Sequence, residues 1–209
     1  DRIPLSLVRY NWFLENISTE SRTAYDFLKR VMDVVMSFAV GVLSLIFYPF
    51  VAIAIKFDDG DGMFFKQERI GKNNKIIKVK KFRSMSKDGT GKKTKVGKWL
   101  RKFRIDELPQ LWSVLKGDMS MIGPRPEIPS LVKHYEEEIP YYNIRHLIKP
   151  GLSGWAQLYH SNPPKLNADA EKTRRKLSYD LYYIKNRSFM LDLKIALKTI
   201  KALLSRSGV

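Results

Sequence analysis

The chain has 209 residues, enough for one domain with a real hydrophobic core. Its 38 Lys and Arg against 21 Asp and Glu leave a net charge of +17, which points to an anionic partner: nucleic acid, acidic lipid or a phosphorylated substrate. The absence of cysteine excludes disulfides and thiolate metal sites, and the three histidines, His134, His146 and His160, lack zinc-ligand spacing.

Residues 1–20 begin with Asp1 and mixed polar residues, which is not the basic-then-apolar order of a signal peptide. From Val34 to Ile55 there are 22 residues without a charge. As a straight helix that run is about 33 Å long, enough to cross a bilayer core. Pro49 lies inside it, where it removes a backbone donor and clashes with the preceding turn. Both flanks are basic, with Lys29 and Arg30 before and Lys56, Lys66 and Arg69 after. Basic flanks favour the cytoplasm, and one span cannot place both there. A helix that breaks at Tyr48-Pro49 and returns to the same face satisfies the charges. A spanning helix satisfies the length, since proline is tolerated in membrane helices. Ser44 and the Tyr48 hydroxyl are the expected hydrogen-bonding groups at a break.

Asp58 to Gly62 predicts a turn. Two strand-like runs, Met63–Ile70 and Lys75–Phe82, flank Gly71–Asn74 and predict a hairpin. Residues 87–98, with Gly89, Gly91 and Gly97 among lysines, predict a basic loop. Asp106 to Gly117 predicts a helix capped by Asp106, with Leu108, Leu111, Trp112 and Leu115 as its apolar stripe and Gly117 as its terminator. Residues 118–165 are rich in proline and predict loops around a short helix near 127–138. Ser188 to about Ser205 predicts an amphipathic helix, apolar at Phe189, Leu193, Ala196, Leu197, Ile200 and Leu203, basic at Lys194, Lys198 and Lys201. It suits either packing on the domain or an anionic membrane surface.

Between Lys66 and Arg104 stand 16 Lys and Arg, with only Glu68 and Asp88 as acids. A basic surface facing solvent or lipid accounts for most of them. Nucleic-acid binding is disfavoured, because the block adjoins an apolar run and carries no helix-turn-helix, RNP, KH or zinc-finger pattern. A few of these cations suit a diphosphate, with Arg101, Lys81 and Arg83 the candidates. The Asp106-Glu107 pair reads structurally as a cap followed by a first-turn acid. It also reads as chemistry: an ionised carboxylate can attack phosphorus to give an acyl phosphate. Asp106 or Glu107 can in addition hold Mg2+ against a diphosphate. Gly123-Pro124-Arg125-Pro126 is either a rigid turn or a proline-stiffened mount for a phosphate-binding arginine. In Pro150–Gln157, Trp155 and Gln157 could stack on and hydrogen-bond a base, although an aromatic under a loop is more often core.

Taken together these residues resemble the bacterial sugar transferases, the monotopic phosphoglycosyl transferases that initiate glycan assembly on undecaprenyl phosphate. The resemblance runs from about Phe27 to Leu203 through KRVMD (Lys29–Asp33), the proline-broken run, FFKQERIG, KFRSM, LRKFRIDELPQLW, LKGDMSMIGPRP, PGLSGWAQ and YDLYYI. It implies an α+β, mostly helical fold with an N-terminal re-entrant membrane helix-break-helix, a small β-hairpin and amphipathic interfacial helices. The implied organisation is a linker remnant over 1–20, the re-entrant helix over 21–57 and a catalytic domain over 58–209. That domain is expected on the cytoplasmic face of the bacterial inner membrane.

The implied reaction moves a phosphosugar from a UDP-sugar donor to polyprenol phosphate through a covalent intermediate on Asp106, with Glu107 beside it and Mg2+ as cofactor. The resemblance also implies phosphate or nucleotide contacts at Arg101 and in the loop of Pro124, Arg125 and Pro126, and an acidic site residue at Asp180. The expected partners are the donor, the acceptor and an anionic bilayer, not nucleic acid; self-association is left open. Two positions depart from the family pattern. Tyr48 stands where serine is frequent before the membrane proline, and Arg104 where a small polar residue usually lies two before the acid pair. The alternative is a non-catalytic basic scaffold holding anionic lipid, which requires neither the acid pair nor the Gly123–Pro126 loop.

Overall fold

The computed structural model describes residues 23–60, 62–87, 91–159 and 169–205; the expected linker over 1–20 lies outside them. Helix α1 (Thr23–Ser44) passes through a 3-10 turn (Leu45–Phe47) into α2 (Tyr48–Asp59). Strands β1 (Phe64–Ile70) and β2 (Ile76–Phe82) follow, then α3 (Lys95–Lys102), a 3-10 turn (Ile105–Gln110) and α4 (Leu111–Lys116). The remainder is β3 (Ser120–Ile122), α5 (Pro129–Glu138), a 3-10 segment (Tyr142–Leu147), β4 (Gly151–Ser153), α6 (Trp155–Tyr159), α7 (Ala170–Lys185) and α8 (Phe189–Leu204). The fold is thus mostly helical with two two-stranded sheets, as the α+β expectation has it.

The break at Tyr48-Pro49 is a tightened turn, since Ser44, Phe47 and Tyr48 all keep right-handed helical angles. Pro49 falls in the first turn of α2, where a missing N–H costs no intrahelical bond. Ser44 donates to the Gly41 carbonyl at 2.7 Å. Tyr48 corrects the expectation: its buried hydroxyl has no partner among the described residues, and its ring packs edge-on against Phe82 and Phe64.

One face of the apolar segment Thr23–Asp58 is covered along its length, by way of Asp33, Ser37, Gly41 and Ser44 on α1 and Val51 and Ile55 on α2. Polar groups fasten it. Arg30 donates to the carbonyls of Val114 and Leu115, both at 2.7 Å, and so satisfies the end of α4. Asp33 accepts from the Met121 N–H at 2.9 Å, and Asp58 from the Val96 N–H at 2.7 Å. Tyr25, Lys29 and Tyr183 all donate to Asp192, which joins α1 to α7 and α8. The other faces expose Phe27, Val35, Phe38, Leu43, Phe50 and Phe57, an apolar surface that water alone does not favour.

The expected hairpin is present, and its register runs from Phe64 opposite Phe82 to Ile70 opposite Ile76. Side chains alternate along β2, so Ile77 and Val79 are buried while Lys78 and Lys80 are exposed. The same alternation puts Lys81 on the face of Ile77 and Val79, turned toward the interior. The basic loop expected over 87–98 is shorter than the sequence indicated. Thr94 caps α3 by accepting from the Gly97 N–H at 2.9 Å, and the helix runs through Gly97. Residues 88–90 of that expectation lie outside the described residues. Helix α7 and the parallel β3–β4 pair had no sequence expectation.

Candidate active site

The acid pair does not sit where the capping pattern put it. Asp106 is inside the 3-10 turn Ile105–Gln110, and the residue entering that turn is Arg104, whose backbone is left-handed at φ 54°, ψ 21°. Asp106 is therefore not an N-cap, and the six-residue turn is too short for a helix dipole to govern its charge. Nearby cations take that role.

Glu107 is the committed member of the pair. Its Oε1 lies 2.5 Å from Arg125 and 3.6 Å from Lys81, and its Oε2 lies 3.8 Å from Arg104. Burial raises its carboxyl, but Arg125, Lys81 and Arg104 outweigh burial and hold it at about 2. Asp106 is the uncommitted member: it is buried and makes no ion pair or side-chain hydrogen bond among the described residues. Burial and the charge of Glu107 raise its carboxyl, against the pull of Lys81, Arg101 and Arg125. Lys81 is in turn lowered by burial and by Arg125.

The Gly123–Pro126 loop is positioned from below by buried ions. Arg145 pairs with Asp180 at 2.9 Å and donates to the Arg125 carbonyl at 2.8 Å and to the Tyr142 hydroxyl at 2.8 Å. Glu127 pairs with Lys176 and lies 3.8 Å from Arg145, while Arg69 donates to the Pro126 carbonyl at 3.1 Å. The Pro124 carbonyl accepts from the Gly151 N–H at 2.9 Å. That crossing admits no side chain, since a Cβ on Gly151 would lie 2.1 Å from the Gly123 nitrogen. Breaking a buried pair such as Arg145–Asp180 by removing one partner costs about 3–5 kcal/mol.

The structure thus brings Asp106, Glu107, Lys81 and Arg125 together. Arg101 is exposed on α3, near enough to act on Asp106 through space. Arg83 is set apart, donating to the Gly62 carbonyl at 2.9 Å at the open end of the hairpin. Asp180, only 2% exposed, lies under the loop as the partner of Arg145. Trp155 is core, stacked on Tyr182, and so is not a base platform. Gln157 lines a cavity beside Glu107. Arg145, Arg69 and Glu127 were missed as positioning residues; a lone arginine in the run Tyr142–Leu147 carries no local signal of the carboxylates it meets 18 and 35 residues away.

The described residues contain no cluster of three or more carboxylate or histidine side chains that could cage a metal ion. Asp106 and Glu107 together fit Mg2+ only in the shared manner, one or two carboxylates with substrate phosphates completing the shell.

Residues 24–206 match the family model described as bacterial sugar transferase. The chain is 44% identical over 198 residues to a UDP-N-acetylgalactosamine-undecaprenyl-phosphate N-acetylgalactosaminephosphotransferase of Aeromonas hydrophila, covering 88% of this chain and 45% of that one. It is 38% identical to an exopolysaccharide production protein of Rhizobium leguminosarum bv. phaseoli, covering 86% and 96% of the two chains. It is also 38% identical to a UDP-glucose:undecaprenyl-phosphate glucose-1-phosphate transferase of Klebsiella pneumoniae, covering 86% and 41%. The chain spans less than half the length of the Aeromonas and Klebsiella relatives and nearly all of the Rhizobium one. With the family model matched across almost its whole length and the acid pair and Gly123–Pro126 loop brought into one site, the chain belongs to the bacterial sugar transferases.

Proposed function

We propose that this protein transfers a sugar phosphate from a UDP-sugar to polyprenol phosphate through a covalent intermediate on Asp106. The observation that carries the reading is the asymmetry of the acid pair. Glu107 is bound up with Arg125, Lys81 and Arg104, whereas Asp106 has cations around it but no partner on it. A carboxylate in that state is available as a nucleophile. The names of the relatives supply the donor and acceptor classes, a UDP-sugar and undecaprenyl phosphate.

In the first step an Asp106 oxygen attacks the phosphorus bearing the sugar, and the bond from that phosphorus to UMP breaks. Arg125, Lys81 and Arg101 stabilise the charge that gathers on the phosphates. In the second step a phosphate oxygen of the lipid attacks the same phosphorus and the carboxylate of Asp106 leaves. Asp106 or Glu107, together with the donor diphosphate, would hold Mg2+, and a bound ion would supply charge neutralisation at the leaving nucleotide.

We further propose a monotopic placement on the cytoplasmic face of the bacterial inner membrane. The segment Thr23–Asp58 is about 54 Å long as a helix, far more than a 30 Å hydrocarbon core requires. Both its halves are fastened to the same domain, at Asp33 and at Asp58, which favours lying in one leaflet over spanning. The exposed apolar stripe of α8, at Phe189, Leu193, Leu197, Ile200 and Leu204, would share that surface.

The test is the order of chemistry. Enzyme, Mg2+ and a UDP-sugar without lipid should release UMP, at most one equivalent per site if hydrolysis is slow. The phosphosugar should appear as a mass adduct on an Asp106 peptide and be discharged by polyprenol phosphate. Asp106→Asn should fold normally and form no adduct. UMP release that required both substrates together would demote Asp106 to a base or metal ligand. No release from any UDP-sugar would leave the basic lipid-holding scaffold as the better reading.

A further inference from the structure

A cavity of about 210 Å³ lies where the apolar helices meet the acid pair. Val40 of α1, Leu108 and Leu111 beside the pair, Leu158 of α6 and Leu203 of α8 form its apolar walls. Its charged lining is Lys102, Arg104 and Glu107, the last two 3.8 Å apart; Gln157 also lines it, with an amide nitrogen buried without a hydrogen-bond partner among the described residues.

Glu107 stands between two sets of cations. Its Oε1 faces Arg125 and Lys81, which also act on Asp106; its Oε2 faces Arg104, on the cavity wall. Arg104 holds a left-handed backbone that non-glycine residues rarely adopt, and asparagine would fit there with less strain. An arginine kept at such a position puts a long cation on the cavity side of the pair.

We propose that this cavity receives the phosphate and the first carbons of a single-chain polyprenyl phosphate, with Arg104 and Lys102 holding the acceptor phosphate. The proposal rests on the transfer reaction inferred above and adds where its acceptor sits. The cavity combines two cations with a mostly apolar lining, in which Ser153 and Thr199 are hydrogen-bonded to each other at 2.6 Å, and that pairing of charge with apolar surface matches a lipid monophosphate better than a free phosphate or a neutral lipid. It is smaller than the roughly 300–1,000 Å³ of pockets that enclose a whole drug-sized ligand. It therefore takes only the head and the start of the chain. The rest of the chain follows α1 and α8, whose outer faces expose Phe38, Leu43, Leu197, Ile200 and Leu204. Arg125 and Lys81 hold the charge of Glu107 from the donor side, which lets a second phosphate approach from the cavity side. During the second step the lipid oxygen forms its bond to the sugar-bearing phosphorus as the bond to Asp106 breaks, and the Asp106 carboxylate is regenerated.

Two variants test this in the detergent-solubilised protein. Arg104→Asn removes the cation and suits the left-handed backbone; Leu203→Trp fills the apolar wall. In steady-state assays with a UDP-sugar and undecaprenyl phosphate, Arg104→Asn should raise the lipid KM by roughly tenfold, the size of one charge-assisted bond. Any rise in donor KM should be several-fold smaller. Leu203→Trp should show the same split. Equal rises in donor and acceptor KM would put the cavity with the donor and overturn the proposal. Calorimetric titration of decyl phosphate reads the site without turnover, so the site can be judged even if the proposed reaction fails. Binding weakened by both variants, with inorganic phosphate and decanol binding far more weakly, supports the cavity. Binding indifferent to both variants, or dioleoyl phosphatidic acid competing as well as decyl phosphate, overturns it.

Discussion

Asp106 and Glu107 are neighbours in sequence held in opposite electrostatic states. Burial and the charge of Glu107 raise the Asp106 carboxyl, while three cations keep that of Glu107 at about 2. The acid limb of the rate profile should belong to Asp106, because a protonated carboxyl cannot attack phosphorus. Its raised pKa means that kcat/KM starts to fall at a higher pH than an ordinary aspartate dictates. Glu107→Gln removes the like charge and leaves Lys81 and Arg125 to act on Asp106 unopposed. Both changes favour the anion, so the acid limb should move to lower pH even as kcat falls. Lipid-free UMP release measured against pH reads this directly, and a limb displaced to higher pH would rule out Asp106 as the titrating group.

At the scale of elements, α3 shows how close approach overrides propensity. A Cβ on Gly97 would lie 2.1 Å from the Ser84 carbonyl oxygen. In an exposed helix, glycine to alanine gains about 1 kcal/mol. Here the clash with backbone reverses the sign, and Gly97→Ala should destabilise the protein by about 1–3 kcal/mol. The denaturant midpoint measures the loss, and an unchanged or raised midpoint would mean that α3 can lift off the Ser84 backbone without cost. Donor KM should also rise, because α3 carries Arg101 toward Asp106. Helix α7 works from the other side: through Asp180 it holds Arg145, which holds the Arg125 carbonyl.

The whole molecule combines a +17 charge with apolar faces on α1, α2 and α8, a pairing suited to an anionic bilayer surface. If the apolar segment is re-entrant, Asp26 before it and Lys92 after it lie on the same side. The chain has no cysteine, so Asp26→Cys and Lys92→Cys each give a single thiol. In intact cells both should resist a membrane-impermeant thiol reagent, and both should react after permeabilisation. Opposite labelling would establish a spanning helix.

By itself the sequence determined the features that depend on neighbours along the chain. These are the apolar run with its proline, the existence of the β1–β2 hairpin, the Gly117 helix end at φ 90°, and the α8 helix with Ser188 accepting from the Leu191 N–H. It also supplied the acid pair and the arginine between two prolines, because a motif is local. What it could not assign was the division of labour within that pair. Asp106 read as a cap because nothing local reveals that Arg104 turns left-handed, or that Lys81, 26 residues earlier, reaches Glu107. Helix α3 was hidden because its glycine answers to Ser84 across a gap in sequence. For Asp180 the family resemblance implied a site acid, but no local pattern indicated its buried pairing with Arg145 at 2.9 Å. Only tertiary structure decided these points, since coulombic and steric contacts between distant residues depend on separation in space and leave no periodicity in the chain.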